Sequence, residues 1–74
     1  MMRDPNRLDP FYSEMCRLHK ENFPDWRFGQ LVSNFWGWIY EQTKRDPFFM
    51  EEKEMLSLFE RFIHTMTGKP IDDS

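Results

Sequence analysis

The sequence contains no alanine. Wherever two backbones must approach closely, the small residue has to be one of the three glycines or a serine, so those positions become informative. Cysteine occurs once, at Cys16. A single thiol excludes an intramolecular disulfide framework, and a reduced, cytoplasmic setting follows as the simplest expectation, with Cys16 a half-buried small hydrophobe. Long apolar runs are missing as well, none approaching the roughly 20 residues that span a bilayer. The opening MMRDPNRLDP has no signal-peptide core, so neither membrane insertion nor secretion is expected. An excess of basic charge is also lacking: the net charge is -3, residues 1–45 carry 7 basic and 6 acidic groups, and residues 46–74 carry 3 and 7. A protein that coats phosphates usually shows the opposite balance.

What is present is bulk. Hydrophobic residues make up 39% of the 74, and Phe, Trp and Tyr alone 18%, which separates the chain from disordered sequences and predicts a folded domain with room for one core. Residues 1–74 read as a single all-α domain of three helices near 10–22, 26–43 and 51–67, with loose ends at 1–7 and 69–74. Three Asp-Pro pairs, Asp4-Pro5, Asp9-Pro10 and Asp46-Pro47, mark candidate starts, because Asp accepts from free first-turn amides and proline suits the first helical position. A start as early as Pro5 is open.

In the first helix Leu8, Phe11, Met15 and Leu18 fall on one arc, with Tyr12 and His19 at its border. Phe23-Pro24 ends it. The second helix, with Asp25 as its expected cap, places Phe28, Leu31, Val32, Phe35 and Ile39 on one face. Trp36 and Trp38 flank that face, while Trp26 and Tyr40 fall toward the back beside Gly29, Ser33 and Gly37. A helix apolar over most of its circumference must be covered on more than one side or expose a face for a partner, and the expected architecture is a compact three-helix domain with helix 2 central. In the third helix Met55, Leu56, Phe59, Phe62, Ile63 and Met66 form the stripe, acidic Glu51, Glu52 and Glu54 suit the first turn, and Gly68 with Pro70 gives the stop.

Two strings carry a resemblance: Pro24-Asp25-Trp26-Arg27-Phe28-Gly29-Gln30-Leu31 and Asp46-Pro47-Phe48-Phe49-Met50-Glu51-Glu52. They resemble a P-D-x-R-[LF]-G-Q-L … D-x-F-[YF]-x-E-[DE] pattern of short bacterial and phage-encoded proteins, and Met-Arg-Asp-Pro-Asn-Arg at residues 2–7 is similar too. The motifs cover less than half the chain. They imply a small helical cytoplasmic protein and bring no activity, cofactor or catalytic residue; Phe35-Trp36-Gly37-Trp38-Ile39-Tyr40 lies outside the pattern.

Candidate chemistry is thin. Cys16 and His19 are three apart on a helix, but a closed metal site needs about four ligands and the sequence offers one further histidine, His64, so no metal and no cofactor are expected. Ser13, Ser33, Ser57 or Cys16 would need a histidine oriented by a carboxylate to act as nucleophile, and glycines at 29, 37 and 68 make no phosphate loop. No enzyme and no small-molecule substrate are expected. Three helices with Arg17, Lys20, Arg27, Lys44 and Arg45 leave a helix-turn-helix-like nucleic-acid-binding regulator as the alternative. The leading expectation is a non-enzymatic protein–protein interaction module, in its simplest form a homodimer, using Trp26, Gly29, Ser33, Trp36, Gly37 and Tyr40. The row 29, 33, 37 is crossed either by another helix of the same chain or by another chain.

Overall fold

A computed structural model describes residues 4–68. Asp4 accepts a hydrogen bond from the Asn6 amide (3.0 Å) and opens a 3-10 turn, Pro5–Arg7, that runs directly into α1, Leu8–Asn22. α2 spans Phe28–Thr43 and α3 spans Glu52–Thr67, with a second 3-10 turn, Pro47–Phe49, between them. Asp46 caps that turn by accepting from Phe48 N at 2.9 Å. Two of the three Asp-Pro pairs therefore start turns, while Asp9-Pro10 falls inside the first turn of α1. The expected loose end at 1–7 is corrected over its described part: Arg7 Nε donates to Glu52 at 3.0 Å and ties the turn to the start of α3. Residues 1–3 and the tail at 69–74 lie outside the described residues.

The expected helix 2 cap is also corrected. Pro24 and Asp25 remain in a turn, and α2 begins only after Arg27, whose amide donates to the Gln30 side chain (2.8 Å), the reach-back half of a capping box. At the other end Lys44 takes the left-handed conformation (φ 59°) and its N–H closes on Tyr40 O at 2.8 Å. Gly68 does the same for α3 at φ 75°, a conformation that costs glycine nothing.

The three helices form the all-α domain expected, but α2 is not its centre. α3 packs against both α1 and α2 and buries four side chains, Leu58, Phe59, Phe62 and Ile63, against three from α2 (Leu31, Phe35, Ile39) and one from α1 (Leu18). Phe62 is the hub: its ring lies 5.3 to 6.4 Å from those of Phe23, Phe35, Trp38, Phe59 and Trp26. Phe23 and Met50 from the connections close the core. Each such residue contributes about 1.5–3 kcal/mol of burial.

Periodicity misassigned residues at the ends of elements and one within α3. Phe28 and Met66, expected in the buried stripes, are exposed in the first and last turns of their helices, where less of the chain is left to cover them. Leu58, absent from the expected stripe, is buried. Cys16, expected half-buried, is exposed on α1.

Candidate interaction surface

Thirteen consecutive residues, Phe28 to Tyr40, include no charged side chain, in a chain of which 31% is charged. Helical geometry divides this stretch into rows four apart. Leu31, Phe35 and Ile39 form the row that α3 covers. Phe28, Val32, Trp36 and Tyr40 form the next row, and Gly29, Ser33 and Gly37 the one after it. The glycine row has no helix of the same chain upon it, whereas the Phe28 row is partly screened, Val32 being half-buried where it faces α1 across a groove. Phe28 is 70% exposed, Trp36 42% and Tyr40 59%, and a Cβ built on Gly29 or Gly37 would meet nothing within 4 Å. Of the two readings left open for the glycine row, crossing by helix 1 or helix 3 of the same chain is not what the structure has. Mid-helix glycine costs about 1 kcal/mol relative to alanine, and at neither position does an internal contact offset it.

Trp26 does not belong to this surface. Assigning it to helix 2 put it at the back, but α2 starts two residues later, and in the preceding turn its ring swings inward to stack on Phe23 (4.3 Å, 12° between planes). His19 Nε2 donates to the Trp26 carbonyl at 2.9 Å and locks the turn to α1; the carbonyl can only accept, so Nε2 carries the proton. His19, weighed for metal or catalysis beside Cys16, is thereby engaged in holding the α1–α2 connection. Ser13, Ser33 and Ser57 sit on exposed positions of three different helices. Among the described residues no group of three or more His, Cys, Asp or Glu is placed to hold a metal ion.

Beside the outer rows, α1 and α2 diverge into an apolar groove of about 180 Å³, walled by Tyr12 and Met15 on one side and Phe28, Val32 and Trp36 on the other, with Leu31 in its floor. Drug-sized ligands occupy about 300–1,000 Å³, so the groove matches one large side chain better than a substrate. Tyr12, Phe28 and Val32 were not among the expected site residues. Phe28 and Val32 share the i, i+4 spacing of Trp36 and Tyr40, a signal available in the sequence but read there as core. Tyr12 comes from another helix, and only packing brings it alongside. A separate exposed pair, Phe48 and Phe49, stands edge to face at 4.9 Å on the second 3-10 turn.

Three of the described basic residues, Arg7, Arg17 and Arg45, are paired with glutamates nearby. Arg17 lies between Glu14 and Glu21 one turn to either side, and Arg45 chelates Glu54 (3.1 Å for Nη2 to Oε1). The hydrogen bond from Arg17 holds the Glu14 carboxyl below its ordinary value, that from Arg45 does the same to Glu54, and both guanidinium groups are pushed up in return. These pairs cap and decorate exposed helix faces; none of them lies within the uncharged stretch of α2.

No helix among the described residues is long and apolar enough to cross a membrane. No protein-family profile matches the chain, and neither a curated protein nor a solved structure matches it.

Proposed function

We propose that this chain is a non-enzymatic protein–protein interaction module that presents the outer face of α2, with the adjoining α1–α2 groove, to a protein partner. One observation carries the reading: Trp36 and Tyr40 stand exposed beside an open row of Gly29, Ser33 and Gly37, on a surface with no charged group. Solvated helix faces are ordinarily charged, and the outer face of α3, with Lys53, Glu60 and Arg61, follows that rule. Aromatic side chains contribute large buried area for little lost rotamer freedom, which is why they dominate binding hot spots. The single thiol favours a reducing cytoplasm as the place of action. Against the nucleic-acid alternative, Arg17 and Arg45 are engaged by glutamates that a phosphate backbone would have to displace.

The test is face-specific cross-linking in the native host, with a photoreactive amino acid placed at position 36 in one chain and at position 60, on the outer face of α3, in another. A discrete protein adduct from position 36 and none from position 60 is the expected result. Equal labelling from both positions, or none from either, would remove the reading.

A further inference from the structure

The outer face of α2 is complementary to itself. We infer that its partner is a second copy of this chain, docked antiparallel about a twofold axis that passes between Val32 and Ser33. The inference rests on the interaction reading above and specifies the occupant of that surface.

The first argument is shape. The face carries a ridge of large side chains, Phe28, Val32, Trp36 and Tyr40, immediately beside a trough of small ones, Gly29, Ser33 and Gly37. Ridges of i, i+4 spacing pack into grooves of the same spacing on a facing helix. In an isologous contact every pairing occurs twice, so the ridge of each copy must find the trough of the other. Trp36 and Gly29 lie equally far on either side of the Val32–Ser33 peptide bond, and so do Phe28 and Gly37. One axis at that point therefore sets Trp36 over Gly29 and Phe28 over Gly37 of the second copy, and sets Val32 against Ser33. Both glycines, open to solvent in the single chain, acquire a contact that explains their lack of a side chain.

The second argument is charge. With no ionised group from Phe28 to Tyr40, the face meets itself without like-charge repulsion, and it offers no counter-ion to a charged partner. Exposed charges return just outside it, Arg27 before the helix and Glu41 in its last turn. Antiparallel docking brings these opposite charges to the same end of the interface, whereas a parallel pair would stack like on like. The third argument is area. At their present exposure Phe28, Trp36 and Tyr40 alone still offer about 350 Å², a little under half of the roughly 800 Å² that each partner gives to a standard specific interface.

Sedimentation equilibrium on the full chain, with two face variants and one engineered thiol, tests this. The wild type is expected to form a dimer at micromolar concentration. Trp36→Glu should weaken it at least about 30-fold, the hot-spot range. Gly37→Leu should also abolish the dimer, and because a Cβ there meets nothing within 4 Å and leucine favours a helix more than glycine does, the circular dichroism of the single chain should report a helix at least as stable as before. Ser33→Cys in a Cys16→Ser background should oxidise to a disulfide-linked dimer, being next to the axis, while Glu41→Cys in the same background should not. A wild type that remains monomeric overturns the inference, as does a dimer indifferent to both face variants, or preferential linking through position 41. If the wild type is monomeric but position 36 cross-links a different protein in the host, the second copy is excluded and the interaction reading stands; no adduct at all removes both.

Discussion

α2 and α3 are each sixteen residues long, and both bring aromatic rings to the same core, yet they finish differently on the solvent side. α3 turns Phe59 and Phe62 fully inward and covers its outer face with Lys53, Glu60 and Arg61. α2 buries Leu31, Phe35 and Ile39 as completely but leaves Trp36 and Tyr40 in water beside two glycines. The difference separates two uses of an apolar side chain. In α3 hydrophobicity is consumed by folding, whereas in α2 a part of it is left over, because two neighbouring helices cover only part of a third helix's circumference.

The comparison can be broken first where the effect is largest. Phe59→Ala, at the fully buried centre of α3, should cost about 3–5 kcal/mol of stability in chemical denaturation, whereas Phe28→Ala on the open side of α2 should stay within about 0.5 kcal/mol when measured on dilute single chains. Similar losses at both positions would erase the distinction between a consumed and a spare apolar residue. Next in size, His19→Ala removes the hydrogen bond that fixes the Trp26 turn and should cost about 1 kcal/mol, seen as a lower Tm and a shifted tryptophan emission. Of similar size but opposite sign, Gly37→Ala should stabilise the dilute chain by about 1 kcal/mol, since a methyl group there meets nothing. A loss instead would mean that something within the chain already occupies the row.

The smallest expected effect concerns the charged faces. The carboxyls of Glu14 and Glu54 are held down in the folded chain by hydrogen bonds from Arg17 and Arg45. A depressed folded value contributes stability that is present above the unfolded carboxylate value and is lost as pH falls through the folded one. Acid titration of Tm should therefore show a shallow decline over that window, flattened in Arg45→Gln and reduced by salt, because both pairs are exposed. The exposed face of α2 should add nothing to this slope, as it carries no carboxyl group from Phe28 to Tyr40.

Most of the fold was legible because it follows from local chemistry. Alternating bulk and charge gave three helices, Asp4 and Asp46 gave turn starts, and Phe23-Pro24 and Gly68 gave stops close to where they occur. Of the candidate surface, Gly29, Ser33, Trp36, Gly37 and Tyr40 share the expected exposed face and Trp26 does not. The start of α2 at Phe28 decided that outcome, since a two-residue shift takes Trp26 out of the helical register and frees it to stack on Phe23. Phe28 and Met66 failed for a related reason, since periodicity assigns a side to a residue but not whether the core extends far enough to cover it.

What the sequence determined by itself was that α2 holds more apolar surface than an ordinary amphipathic helix, and that glycine and serine supply the small positions, because composition and spacing fix these without reference to any neighbour. Which helix occupies the centre, and whether the glycine row is covered, was decided by tertiary packing. α3 takes both neighbours onto its own broad stripe, and once Phe62 is surrounded by rings from the connections and from α2, no helix of the same chain remains to cover the far side of α2.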